Sequence, residues 1–540
     1  MTEVPDFRFY YLANFERALD WLQVRYADLL NAQETQFLER FRILDRDSRA
    51  LLVRLLMRRG PLFRESKLRY EELDSIDQAV QPLIELGWID ADPNVTACEL
   101  ARLYPKCSLV ARFGFSSRLR KADLSEHLEA QCPHAQPASS WRVEDERIFN
   151  VTVSSVCEQL RWLFFGNFHQ DWKEFVLADL GIFKYELLDL DANARAFQTR
   201  AHIDAFYALG GARQSMHDEA PLSQVRTLLP QAPLDHEWLE ERRGRMQFEL
   251  ARAYERAEDF SSAFDLYSTC TYPGSRARQI RVLEKEKRAN EALQLAQDSG
   301  EALLCEAERE LIGRALRRLS PLSGVRTTRV RASVPVIDID LASWDSVEQS
   351  AAEYLQSAAA PVFYVENILF NGLFGLWAWD VIFAPVAGAF FHPFQSGPAD
   401  LWSGSFVSRR QALLNLAFEA LERGDHSDFI LSRFRVKRGT HNRFVFWNGL
   451  THELLELALH CMPATHLRLI FQRMFADLDQ NSSGFPDLVQ FYPEQRSYRL
   501  IEVKGPGDRL QDHQRRWMQF FLAHEIPAAV CHVQRAQAAA

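Results

Sequence analysis

The apolar residues of this chain follow a helical period for most of its length and a strand period near its C-terminus. Phe37, Phe41, Leu44, Leu51, Leu52, Leu55 and Leu56 recur at helical spacing, and Gly60-Pro61 stops that run. Ser75-Ile76 through Leu86-Gly87-Trp88-Ile89 predicts a second helix, then a short strand and a turn at Asp92-Pro93-Asn94. Residues 145–320 read as helix after helix. Beyond Val336 helices are predicted around 347–358, 366–382, 409–422 and 450–459. Asp487 then leads a strand, a short turn comes next, and Ile501-Glu502-Val503-Lys504 alternates on the second strand. A helix from near Asp512 and a last strand at 528–533 complete an α/β core with a mixed sheet.

The chain is therefore expected to be multidomain and mainly α, with domains at 1–138, 141–325 and 336–540. Helix, helix and a strand-turn ribbon is the pattern of a winged helix, a common DNA-binding form. Ser117 to Ala130 contains the core of a SAP-like helix pair, in which Arg118, Arg120 and Lys121 would meet phosphates. The Pro/Ser content of Pro133–Ser140 suggests a linker, as does Pro321-Leu322-Ser323-Gly324 with Arg326, Arg329 and Arg331. In the middle domain, Leu250–Tyr254 with Phe260, Ala263, Leu266 and Tyr267 resembles tetratricopeptide helices. Ile280–Leu283 with Ala289, Ala292, Leu293 and Ala296 does the same. A degenerate repeat array and a generic helical bundle are both open; either could be a rigid spacer.

Net charge is −10, which taken alone speaks against a nucleic-acid partner. Its distribution does not. Residues 40–69 hold nine arginines and one lysine against Asp45, Asp47 and Glu65. Arg54, Arg58, Arg59, Arg64, Lys67 and Arg69 would line the exposed edge of the winged helix. Eight cysteines lie scattered with no C-x-x-C pair, so neither a zinc ribbon nor a disulfide framework is indicated, and free thiols in a reducing compartment are expected. The acidic start Met1-Thr2-Glu3-Val4-Pro5-Asp6 lacks the apolar core of a signal peptide. Polar residues and Pro385 interrupt the most apolar stretch, Pro361–Phe394, so no membrane span is expected. The chemistry excludes P-loop, G-x-S-x-G and H-E-x-x-H enzymes, whose motifs are missing from the sequence.

Positive chemistry concentrates near the C-terminus. Glu502 and Lys504 share one strand face, with apolar Ile501 and Val503 on the other, and a hairpin would bring Asp487 opposite them. Two carboxylates suit a hard divalent cation, Mg²⁺ or Mn²⁺, and an adjacent ammonium can position water. Two are thin for such an ion, so a third acid is expected from a helix.

Pro486-Asp487 with Glu502-x-Lys504 downstream resembles the PD-(D/E)xK nuclease signature. The tail Glu502–Leu510 with Gln514 and Trp517 is similar to a VRR-NUC domain, and the whole chain resembles the Fanconi-associated nuclease family in a short bacterial-type form. The resemblance implies that Glu366 completes a metal site with Asp487, Glu502 and the Val503 carbonyl; Asp380 is the other candidate. It implies that Gln514 supports the site and that Arg509 helps receive a DNA 5′ end. His513 stands where animal relatives carry lysine, a departure that bears on that end-recognition. Ser408-Arg409-Arg410 and Arg433–Arg438 are further basic candidates. The implied activity is metal-dependent cleavage of 5′ flaps and branched DNA, endonucleolytic and 5′-to-3′ exonucleolytic, in interstrand crosslink repair. Products would carry a 5′-phosphate and a 3′-hydroxyl. A cytoplasmic, nucleoid-associated bacterial enzyme is expected. No Cys/His cluster precedes the helices, so no ubiquitin-binding zinc finger is expected. A Holliday-junction or restriction-type nuclease, or a catalytically silent scaffold gripping branched DNA, remains open on the same core.

Overall fold

The structure is a computed structural model, and it describes residues 7–58, 60–172, 184–188, 190, 194–299, 305–320 and 334–535. It falls into two compact units: Met1–Ile182 with Gln198–Arg200, and Phe183–Phe197 with Ala201–Ala540.

The first unit opens with three helices, α1 (Tyr10–Tyr26), α2 (Ala32–Ile43) and α3 (Arg46–Leu56). The sequence period from Phe37 to Leu56 runs through two of them. Asp45 interrupts it, because its carboxylate caps the new helix by accepting the Ser48 N–H at 2.9 Å. Strand β1 (Leu62–Arg64), helix α4 (Ile76–Glu85) and strand β2 (Ile89–Asp90) come next, then β3 (Asn94–Val95).

The expected ribbon is closed differently. The turn at Asp92–Asn94 does not fold β3 back on β2. After α5 (Ala97–Leu103), α6 (Lys106–Phe113) and α7 (Lys121–Gln131), strand β4 (Gln136–Pro137) pairs with β3. Helix α8 (Ala138–Trp141) leads to β5 (Ile148–Val151), which lies between β1 and β2 and pairs antiparallel with both. The Pro/Ser segment at 133–140 is thus folded rather than a linker. Its Ala138 N–H donates to Pro93 O at 2.9 Å, and the Trp141 indole donates to Val95 O at 3.1 Å from a buried position. Helix α9 (Ser154–Phe165) buries an almost continuous apolar face against this unit.

The first helices of the second unit are α10 (Arg200–His217), which belongs to it from Ala201 onward, and α11 (Leu222–Leu228). Successive helices α12 (Glu237–Arg256), α13 (Phe260–Ser268), α14 (Ser275–Lys285), α15 (Ala289–Asp298) and α16 (Glu306–Leu319) each pack on the next. Fully buried Ala263, Ala292 and Ala296 let their axes approach closely. Ion pairs also tie the helical middle to the C-terminal part of the same unit. Arg314 reaches Asp512 at 2.5 Å, Arg515 reaches Glu310 at 3.2 Å, and Arg473 reaches Glu306 at 2.7 Å. Residues 321–333, expected as a linker, lie outside the described residues.

The remaining elements are β6 (Val336–Leu341), α17 (Val347–Leu355), β7 (Val362–Tyr364), α18 (Leu369–Trp377) and α19 (Trp379–Ile382). Next come α20 (Gln411–Arg423), α21 (His426–Val436), α22 (His452–Cys461), α23 (Ala464–Ala476) and α24 (Leu478–Asn481). Last are β8 (Leu488–Tyr492), β9 (Ser497–Lys504), α25 (Asp512–Ala523) and β10 (Ala528–Arg535). The strands form one mixed five-stranded sheet in the order β6-β10-β9-β8-β7. β10 runs parallel to both β6 and β9, while β8 runs antiparallel to both β9 and β7. Leu488, Ile501, Val503 and Cys531 pack with Ala351 of α17 on one face. Val489, Leu500 and Val530 join the large core around α18, α22, α23 and α25 on the other. Among the described residues, no helix is long and apolar enough to cross a membrane.

Candidate active site

The β8–β9 register decides where the acids meet. Leu488 pairs with Ile501, so Asp487, one residue earlier, falls level with Glu502. Asp487 Oδ2 accepts the Val503 N–H at 2.8 Å, which fixes its carboxylate against β9. The strand period puts Lys504 on the same face as Glu502, and its Nζ lies 2.7 Å from Glu502 Oε1. Glu502 is completely buried and Asp487 is 7% exposed. Neither Glu502 oxygen receives a well-directed hydrogen bond from any described group; the ammonium is close but off-axis.

Burial raises both acids. Asp487 is pushed up to about 6, with the Val503 N–H and Lys504 opposing the rise and Glu366 adding to it. Glu502 is pushed up to about 7 by burial first and the neighbouring Asp487 charge second, with Lys504 opposing.

Glu366 stands at the open side of this pair. Its segment is drawn in by the backbone: the Val365 N–H donates to Asp487 O at 2.8 Å, extending the β7–β8 pairing by one residue. The Glu366 side chain is exposed, and its Oε2 accepts the Tyr364 hydroxyl at 2.5 Å. Its charge is felt at both Asp487 and Glu502. Among the described residues, however, no three carboxylate, imidazole or thiolate groups stand close enough to cage a metal ion. The donors that are present fit a hard divalent cation in chemistry. They are carboxylate oxygens beside a backbone carbonyl, and one carboxylate is buried with only the off-axis Lys504 ammonium beside it, a costly state that a cation relieves.

Asp380, the other candidate, belongs elsewhere. It is 68% exposed on α19 and pairs with Arg433, whose guanidinium also donates to the Leu376 and Trp377 carbonyls. Gln514 sits in the first turn of α25, where its Oε1 accepts the Gln511 N–H at 2.9 Å; the structure engages it as a helix cap. Arg509 is exposed and has no carboxylate partner among the described residues. His513 packs on Gly484, which combines a φ of +85° with a neighbour so close that no β-carbon fits. Burial, then the charge of Arg516, holds its imidazole below the usual histidine range, so at neutral pH it supplies no lysine-like cation.

Three polar residues near the site were not assigned from sequence. Asn367 adopts φ +53° and accepts the Gly484 N–H at 3.1 Å, and Asn371 donates to Ser482 O at 2.8 Å. Together they clamp the start of α18 to the loop before Asp487. Two asparagines inside an apolar stretch were the available signal. Glu348, in the first turn of α17, adds negative charge at Asp487.

The basic candidates divide sharply. Arg410 is buried and bidentate on Asp400, both contacts at 2.9 Å, and Arg409 meets the same carboxylate at 2.6 Å. Neither is free for a phosphate. Arg54 binds Glu72 at 2.7 Å and lies 3.9 Å over the Tyr11 ring, and buried Arg64 is held by Glu144 and Glu146. Both are fold contacts, correcting their place on the DNA edge. Arg59 lies outside the described residues. Arg58, Lys67, Arg69, Arg118 and Lys121 are exposed, with no carboxylate partner among the described residues. Reversing Lys67 and Arg69 together to glutamate is therefore expected to weaken DNA binding and flatten its salt dependence by about two in log-log slope. Arg54→Glu should instead lower the melting temperature. Fluorescence anisotropy across a salt series and a thermal scan check the two.

A mixed sheet whose hairpin sets Pro-Asp level with Glu-x-Lys defines a nuclease of the PD-(D/E)xK class. Residues 421–535 match the family model for the VRR-NUC domain, and residues 9–90 match that for the FAN1 HTH domain. The chain is 45% identical over 536 residues to the Fanconi-associated nuclease 1 homolog of Pseudomonas aeruginosa, covering 97% of this chain and 96% of that one. Identity to the Arabidopsis thaliana homolog is 26% over 598 residues, covering 97% of this chain and 67% of that one. The solved structure of paFAN1 bound to 2nt 5′ flap DNA with a gap superposes with a TM-score of 0.94 at 44% identity, covering 99% of this chain and all of that one. The chain belongs to the Fanconi-associated nuclease family.

Proposed function

We propose that this nuclease cuts DNA at 5′ flaps and related branches, using Mg²⁺ or Mn²⁺ held by Asp487, Glu502, the Val503 carbonyl and Glu366. The observation that carries the reading is Glu502: a buried carboxylate without directed donors, between Asp487 and Lys504, on a strand reached from the Glu366 side. Support for the substrate comes from paFAN1, whose solved structures hold 5′ flap DNA.

When bound, the cation would polarise the scissile phosphate and neutralise its growing charge. The chain supplies the rest. Val503 N–H holds Asp487 in register, and Glu366, whose Oε2 accepts the Tyr364 hydroxyl, would be a further ligand. Lys504 places an ammonium where it can orient the attacking water or stabilise the crowded phosphate. In-line displacement would leave a 5′-phosphate and a 3′-hydroxyl. The helix-turn-helix unit would grip duplex through its exposed cations, with the helical middle holding the nuclease domain at α16. Repair of interstrand crosslinks in a bacterial nucleoid is the setting this activity suits.

End-labelled flap, fork, four-way-junction and linear substrates test the reading in Mg²⁺, Mn²⁺ and chelator. The 5′ flap should be cut fastest and chelator should stop cleavage. Faster cleavage of an intact four-way junction, or undiminished cleavage in chelator, would overturn it.

A further inference from the structure

The segment from Arg433 to Trp447 carries five cations and no carboxylate, in a chain of net charge −10. Two of the five are neutralised in the fold, Arg433 by Asp380 and Lys437 by Glu186 at 2.5 Å. Arg435, Arg438 and Arg443 are exposed with no carboxylate partner among the described residues. Aromatic and aliphatic surface is interleaved with them: Val436 is 68% exposed and Phe446 is 57% exposed.

The aromatic part is built, not incidental. Arg438 lies 4.9 Å over Phe434 and 5.9 Å over Trp447, whose rings are 5.8 Å apart. The Trp447 indole donates to Thr440 O at 2.8 Å, which fixes the turn that presents Phe446. Phe446 also packs at the start of α18. A β-carbon added at Gly449 would stand 2.9 Å from both Phe446 Cδ1 and Ile368 Cδ1, so the two side chains close over that glycine together. Ile368 is two residues past Glu366, at the N-cap of α18.

We propose that Phe446, flanked by Arg438 and Arg443, is a stacking shelf for an unpaired nucleobase of the DNA strand entering the site past Glu366. The inference rests on the nuclease reading above and adds the contact that selects single-stranded character. Cations alone would suit any phosphate backbone, duplex included. A ring left open to water in a segment that also carries exposed guanidinium groups matches instead the base-plus-backbone chemistry of single strands, where every base offers a face to stack on. An acid-free segment fits any polyanion, an acidic protein included, and the open ring is what favours a base.

The test is equilibrium binding of 5′-flap DNA, in calcium to hold back cleavage, with flap nucleotides either intact or abasic. Phe446→Ala should weaken binding of the intact flap about tenfold, within the range of one lost base stack. Wild type should lose a similar factor on the abasic flap, and Phe446→Ala should lose little more there. Phe446→Trp should retain wild-type affinity. Arg443→Gln should lower the salt slope by about one without changing the preference for intact bases. Unchanged binding by Phe446→Ala, or an equal loss on intact and abasic flaps, would overturn the shelf while leaving the nuclease reading in place. Wild-type protein that neither binds nor cuts the flap would sink that reading and the shelf with it.

Discussion

Asp487→Ala is expected to reduce 5′-flap cleavage in Mn²⁺ by about a thousandfold or more, while flap affinity changes by less than about threefold. The carboxylate has two tasks in the structure, and alanine removes both. It is one of the acids level with each other across the β8–β9 hairpin, and it accepts the Val503 N–H at 2.8 Å. Loss of the acceptor strands a buried amide, which costs on the order of 1 kcal/mol and leaves the unit folded. Loss of the ligand oxygen removes charge needed only where the phosphate reacts. Affinity should hold because Asp487 is 7% exposed and adds almost nothing to the DNA-facing surface. Asp487→Asn separates the tasks, since its amide oxygen can still accept the Val503 N–H. It should be as inactive as alanine and closer to wild type in melting. Cleavage at the wild-type rate by either variant, measured on an end-labelled flap, would show that this acid is not part of the site.

Much of this site could be read from the chain because strands impose it. A period of two puts Glu502 and Lys504 on one face whatever the rest of the fold does, and a hairpin brings Asp487 level with them. Glu366 was placed by resemblance. What holds it there, the αL turn at Asn367 and the Asn371 clamp across to Ser482, depends on residues more than a hundred positions apart. The basic residues show the opposite case. A run such as Arg409-Arg410 declares charge but not partner, and Asp400 became its partner only when the core closed around Asp400 and Arg410. Arg54 and Glu72 met for the same reason. Likewise, β2 looked ready to turn into β3 because turn chemistry is local. β5 took the pairing instead, since sheet partners are chosen by burial over the whole unit.

Glu502→Gln is expected to abolish cleavage, again by about a thousandfold or more, and yet to stabilise the metal-free protein at alkaline pH. The two effects share one cause. Glu502 is wholly buried, its oxygens lack directed donors, and the Asp487 charge stands beside it, so its carboxyl is raised to about 7. A carboxyl raised above its unfolded value binds its proton more tightly in the folded state. That protonated form stabilises fully at pH values below about 4.5, and the stabilisation is lost as pH rises through 7. The swing is on the order of 3 kcal/mol, shared with Asp487. Glutamine is neutral throughout and keeps nearly the same shape, so it escapes the loss. At pH 8.5 in chelator the variant should melt several degrees above wild type, and the gap should shrink towards pH 5.5. Adding Mn²⁺ should raise the wild-type melting temperature at pH 8.5 and leave the variant almost unmoved, because the cation stabilises the charge that glutamine lacks. A variant that melts below wild type at every pH, or gains as much from Mn²⁺, would mean that Glu502 is held by donors of the fold and not kept ready for a cation.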